Sequence, residues 1–113
     1  MPALDLDQMR TFLVVLEAGS PPAAAPRVFL SQSAVSEQMR KLEECVGQGL
    51  LARSKAGVLP TAAGERLRVH AQRLVALADE ALRDLRGESL QGELRLAVTD
   101  YFRPGELARL LFR

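Results

Sequence analysis

The sequence predicts a mainly α-helical chain with one short β-hairpin, and three observations predict it. Apolar residues recur at helical spacing in three separate stretches. Hydroxyl, acidic and glycine residues stand where helix caps belong. Hydrophobic residues make up 48% of the 113 residues and aromatic ones only 4%, so the core must be aliphatic, which suits packed helices.

The first helix is expected to start at Asp5, whose carboxylate can cap it, with Gln8 three residues on as capping-box partner. Met9, Phe12, Leu13 and Leu16 form its buried stripe, and Gly19 ends it. Ser20 is placed to cap a second short helix through Val28, with Ala24, Ala25 and Val28 packing on the third helix. Pro21 and Pro22 suit a first turn, where the missing N–H has no intrahelical partner. Pro26 falls at the sixth helical position, where it deletes a hydrogen bond and crowds the carbonyl of Pro22, at about 3 kcal/mol. That predicts a helix that begins late or is kinked.

After the turn Phe29-Leu30, the stretch from Ser31 to Val46 reads as one helix with two different faces. Val35, Met39, Leu42 and Val46 fall at i, i+4, i+7 and i+11. The opposite face offers Ser31, Gln32, Ser33 and Ser36, then Arg40 and Lys41. Short side chains allow close approach, Gln can hydrogen-bond a base edge, and cations can meet phosphate. Such a helix can read a DNA major groove. The same pattern also describes an ordinary amphipathic core helix capped by Ser31. The spacing of the two helices and the short turn is that of a helix-turn-helix.

Gly47-Gln48-Gly49 supplies the stop. Leu50-Leu51-Ala52-Arg53 and Val58-Leu59-Pro60, joined by Ser54-Lys55-Ala56-Gly57, read as a two-stranded wing that aims Arg53 and Lys55 at the phosphate backbone or minor groove. From Thr61 a long helix runs to near Gly87. Leu67, Ala71, Leu74, Ala78, Ala81 and Leu85 are spaced 4, 3, 4, 3, 4, a heptad seam. Five arginines and five acids balance on its flanks, so these acids read as a solvated face rather than catalytic carboxylates. A lone helix of this length is marginal in water, so the seam calls for a partner. Residues 87–92 read as a linker, and Leu94, Leu96 and Val98 alternate as a strand should.

Net charge is only +1, so DNA affinity must rest on local charge. Residues 1–19 carry one cation and three acids, −2; residues 20–60 carry five cations and three acids, +2. Cys45 is the single cysteine, which excludes an intrachain disulfide and suits a reducing cytoplasm with an inert thiol. His70 has no second His or Cys near it in sequence, so neither metal nor cofactor is expected. No signal peptide, membrane span, nucleophile–base pair or phosphate loop is evident, which argues against a membrane protein and an enzyme.

The stretches Met9-Arg10-Thr11-Phe12-Leu13-Val14-Val15-Leu16-Glu17-Ala18-Gly19-Ser20, Ser31-Gln32-Ser33-Ala34-Val35-Ser36, Leu42-Glu43-Glu44-Cys45-Val46-Gly47 and Gly57-Val58-Leu59-Pro60-Thr61-Ala62-Ala63-Gly64-Glu65 share one register. In that order and spacing the chain closely resembles the N-terminal DNA-binding domain of the LysR-type transcriptional regulators, ungapped from about Leu4 to Thr61. The resemblance implies a winged helix-turn-helix over 4–61, with the helix-turn-helix at about 21–40 and the wing at about 50–60. It further implies a linker helix over 62–87 that pairs two subunits. Residues 88–113, with a strand at Leu94 and a helix from Leu107 to Phe112, resemble the opening of the family's α/β effector domain, so the chain reads as a truncated regulator whose last apolar residues lack their usual partners.

Where the family places an aromatic, a small hydroxyl residue and a polar helix former, this chain has Pro21, Pro22 and Pro26, and Ala56 and Leu59 hold wing positions that are often basic. The implied partners are double-stranded DNA, a second copy through the linker helix, a possible tetramer in the full-length protein, and a small-molecule effector only where the C-terminal domain is present. Gln32, Ser33 and Ser36 are the expected base-edge contacts, with Ser31, Arg40, Arg53 and Lys55 on the backbone. Glu37 faces the same way and either accepts from a cytosine amino group or repels phosphate. The competing expectation, motivated by Pro26 and the thin wing, is a degenerate helical dimerisation module with weak or no specific DNA binding.

Overall fold

The computed structural model describes residues 2–87; the strand and helix expected within 88–113 lie outside the described residues. The elements are helices α1 (Leu6–Ala18), α2 (Pro21–Ala24), α3 (Gln32–Val46) and α4 (Ala62–Arg86), with strands β1 (Leu51–Ser54) and β2 (Gly57–Pro60) before α4. Two compact units are distinguished, one running to Ala76 and one from Leu77 onward.

The Asp5 carboxylate accepts the N–H of Gln8 at 2.9 Å and opens α1, and Gly19, at φ 96°, closes it by donating to the Val15 carbonyl at 2.8 Å. The buried face is Met9, Thr11, Phe12 and Val15. Leu13 and Leu16, expected in the buried stripe, are instead half-buried and line an open groove with Pro60, Glu65 and Gln72. The helix is therefore rotated toward Val15 relative to the predicted stripe.

Ser20 Oγ accepts from the Ala23 N–H at 3.2 Å to open α2. The helix does not begin late, since α2 starts at Pro21, and the continuous α-helix expected through Val28 is interrupted just before Pro26. The chain leaves the α-helix after Ala24 and continues as a 3₁₀ turn over Ala25–Val28, which puts Pro26 in the first turn of the new helix, where no N–H is needed. The change of helix type thus places Pro26 where its missing N–H costs least.

The turn ends in a Schellman-type closure, Leu30 N–H donating to Ala25 O at 3.0 Å and Phe29 N–H to Pro26 O at 3.4 Å. That closure needs a left-handed residue, and here it is Phe29, at φ 59°. Its side chain is 92% exposed, so no packing offsets the steric cost of about 1–2 kcal/mol. Phe29→Asn is expected to raise stability by about 1 kcal/mol, read as a higher urea midpoint with unchanged slope. A lower midpoint would show that the ring contributes more than its exposure indicates.

Ser31, in extended conformation, accepts the Ala34 N–H at 3.1 Å and starts α3. Val35, Met39 and Leu42 are buried as the spacing predicts, Val46 packs at the edge, and Gly47 ends the helix at φ 82°. Met9, Phe12, Val15, Val35, Met39, Leu42, Leu50, Leu67 and Ala71 share one core with Ala24 and Ala25. Phe12 is the aromatic among them, as the low aromatic content requires.

The wing is an antiparallel pair with Leu51 opposite Pro60, Ala52 opposite Leu59, Arg53 opposite Val58 and Ser54 opposite Gly57. It is fixed at both ends. At its tip, Val58 N–H donates to Gly19 O at 2.8 Å, and a Cβ on Gly57 would sit 2.2 Å from that same oxygen. At its root, Glu43 Oε2 accepts the N–H groups of Leu50 and Leu51 at 2.7 and 3.1 Å. Thr61 N–H donates to Leu50 O at 3.0 Å, Thr61 Oγ1 donates to Gly49 O at 2.7 Å, and the same Oγ1 accepts the Gly64 N–H at 3.0 Å to cap α4. The segment Gly49–Leu51 therefore ties α3, the wing and α4 together.

Candidate nucleic-acid interface

The exposed face of α3 follows from its buried one. With Val35, Met39 and Leu42 held in the core, residues at 32, 33, 36, 37 and 40 are turned outward by helical period. Gln32, Ser33, Ser36, Glu37 and Arg40 line one open depression, and all five are exposed. Ser31 is engaged at the cap, its Oγ 3.2 Å from Ser33 Oγ. The surface at the start of α3 is thus small, neutral and rich in hydrogen-bonding groups.

Further along, charge is paired. Arg40 Nε donates to Glu37 Oε1 at 2.9 Å and Arg40 Nη2 to Glu37 Oε2 at 2.7 Å, a forked contact, while Nη1 lies 3.6 Å from the Glu44 carboxylate. The Arg40 hydrogen bonds hold the Glu37 carboxyl below its usual pKa, and the same bonds push the Arg40 pKa up. Arg40, expected on the phosphate backbone, is occupied by two carboxylates. Lys41 is exposed beside it with no ion pair among the described residues.

Arg53 and Lys55 lie on the hairpin, Arg53 in β1 and Lys55 in its turn, both exposed and without an acidic partner among the described residues. They are separate from the depression on α3, which they do not line. Arg27 pairs with Glu17, so the last cation of the 3₁₀ turn is tied back to α1.

Along α4, Leu67 and Ala71, expected in the dimer seam, are buried in the chain's own core. Leu74, Ala81 and Leu85 are exposed and Ala78 half-buried. Two residues outside the expected seam, Leu77 and Leu82, are 61% and 47% exposed. Leu77 stands three residues after Leu74, and Leu82 four after Ala78, so the apolar stripe on the second half of α4 is wider than one heptad row. The spacing signal for this second row is present in the sequence.

Cys45 Sγ donates to Ala3 O at 3.4 Å, and His70 is exposed. Among the described residues no group of three or more His, Cys, Asp or Glu side chains is placed to hold a metal, and no helix is long and apolar enough to cross a membrane.

A bracing helix, α2 joined through the left-handed residue Phe29 to the outward-facing α3, and a β-hairpin define a winged helix-turn-helix. A family model described as bacterial regulatory helix-turn-helix protein, lysR family, matches residues 6–65. The chain belongs to that family. It is similar to the HTH-type transcriptional regulator DgdR of Burkholderia cepacia, 45% identical over 98 residues that cover 87% of this chain and 33% of that protein. It is 38% identical to the HTH-type transcriptional regulator PecT of Dickeya dadantii, over 86% of this chain and 31% of the relative. The chain therefore spans about a third of the length of the curated relatives it matches. Among solved structures, the DNA-binding domain of CbnR in complex with DNA superposes with a TM-score of 0.69 at 37% identity, covering 74% of this chain and 97% of that one. Vibrio fischeri DarR in complex with DNA gives 0.71 at 27% identity, over 75% of this chain and 29% of that one.

Proposed function

We propose that this chain is the DNA-binding part of a bacterial transcriptional regulator, with α3 in the major groove and the wing on the backbone. One observation carries the reading: Gln32, Ser33, Ser36, Glu37 and Arg40 converge on one open depression while the opposite face of the same helix is locked into the core. Gln32, Ser33 and Ser36 take the base-edge contacts, and Ser31, Arg53 and Lys55 the backbone. The relatives named as regulators and the CbnR and DarR structures with DNA support it. A dimer is part of the proposal, formed through Leu74, Ala78, Ala81 and Leu85 together with Leu77 and Leu82. So is action in the cytoplasm, without catalysis. A tetramer and a small-molecule effector enter only for a protein that carries an effector domain. The alternative of a degenerate dimerisation module loses its first motive, because Pro26 is accommodated by the 3₁₀ turn.

Binding titrations on a preferred and a random duplex test the assignment. Gln32→Ala is expected to lose about 1–3 kcal/mol on the preferred site and almost nothing on random DNA. Arg53→Ala should weaken both alike and flatten the salt dependence. Equal losses on both duplexes for Gln32→Ala would remove it from the base-reading set.

A further inference from the structure

We infer that Glu37, gripped by Arg40, is a base-reading residue that selects cytosine in the major groove, and that Arg40 is its positioning residue rather than a phosphate contact. The inference rests on the proposed DNA-binding role of α3.

A carboxylate on a DNA-facing surface is ordinarily repelled by phosphate. Here the repulsion is offset before DNA arrives, because the Arg40 guanidinium occupies both Glu37 oxygens, through Nε at 2.9 Å and Nη2 at 2.7 Å. Arg40 cancels the Glu37 charge, and Lys41, whose charge also acts on Glu37, offsets Glu44 beside Arg40. Each carboxylate oxygen has two acceptor positions, and Arg40 takes one on each, so an acceptor remains for a base. The carboxylate stays ionised at neutral pH, since the Arg40 hydrogen bonds lower its pKa.

The chemistry of the base edges then decides which base fits. An ionised carboxylate accepts and cannot donate. Guanine presents only acceptors in the major groove and adenine an acceptor beside its amino group, whereas the cytosine edge presents the N4 amino donor alone. Glu37 shares its depression with Gln32, Ser33 and Ser36, and lies one turn beyond Ser33, so it reaches the same stretch of groove. Arg40 lines the same depression, and its Nη1 lies 3.6 Å from the Glu44 carboxylate, so its guanidinium is shared between two acids of its own helix. Both side chains are about half exposed, so the pair acts through orientation and charge cancellation more than through stability.

The test is selection of duplexes from a random pool by the full chain and by Glu37→Ala, Glu37→Gln and Arg40→Met. The wild-type chain should enrich sites with a fixed cytosine, and Glu37→Ala should lose that preference while keeping the rest of the site. Glu37→Gln should move the preference toward adenine, which Gln matches with a donor and an acceptor. Placing N4-methylcytosine at the fixed position covers the major-groove N–H, and should weaken the wild type about tenfold while leaving Glu37→Ala unchanged. Arg40→Met should blunt the cytosine preference; a phosphate contact would instead lower affinity for all sequences alike. If Glu37→Ala enriches the same site as the wild type, the inference is overturned while DNA binding stands. If the wild type enriches no sequence, the proposed function itself fails.

Discussion

Gly64→Ala is expected to destabilise the domain by about 3 kcal/mol, although alanine is the better helix former by about 1 kcal/mol. A Cβ at position 64 would lie 2.1 Å from the Leu50 carbonyl oxygen and 3.2 Å from the Pro60 side chain. The carbonyl cannot yield cheaply, because it accepts from Thr61 N–H while the neighbouring N–H groups of Leu50 and Leu51 are held by Glu43. Shifting it strains three hydrogen bonds, each contributing about 1 kcal/mol, on top of the overpacking. Against a total stability of about 5–15 kcal/mol, that is a large fraction. Glu43→Ala attacks the same segment from the other side by leaving two partly buried N–H groups without their acceptor, at about 1–3 kcal/mol for each group that water does not reach. Urea unfolding of both variants checks this. A Gly64→Ala variant as stable as the wild type would mean that α4 stands off from Leu50.

The second large effect is on assembly. Leu74→Glu places like charges across a two-fold pairing of α4 through the proposed seam, and should shift a dimer toward monomer with the fold retained, because Leu74 is 40% exposed. Losing the second half-site contact removes an effective-concentration advantage of about 10²–10⁴, so binding to a two-half-site duplex should fall by about that factor while a single half-site is little affected. Analytical ultracentrifugation and paired titrations read both effects. An unchanged dimer would place the interface elsewhere. Leu67→Glu is a poor probe of the same interface, since Leu67 is in the core and the change would unfold the unit.

How much was legible in the sequence depended on how local the cause was. Asp5, Ser20 and Ser31 cap their helices through bonds to residues three positions on, and sequence spacing is enough to see them. The buried stripe of α3 was equally plain, because Val35, Met39 and Leu42 follow one period. The surroundings of Pro26 are less legible, because the α-helix cost holds for a continuous α-helix and the chain changes helix type one residue earlier. Glu43 and Gly64 act on Leu50 through a chain reversal, so no pattern along the sequence announces them. A heptad does not say which of its members a chain buries against itself, so spacing alone does not separate Leu67 and Ala71, in the core, from the exposed members of the row. Charges are less legible: Arg40 reads by type as a phosphate contact, and the sequence does not announce that Glu37, three positions earlier, holds it in a forked pair.

The most direct test of the central claim is a competition titration near physiological salt. The chain is bound to a duplex enriched from a random pool and challenged with a scrambled duplex of the same length and composition. The enriched duplex is expected to bind about a thousandfold more tightly, with affinity for both falling steeply as salt rises. Equal affinity for the two duplexes, or none for either, would contradict it.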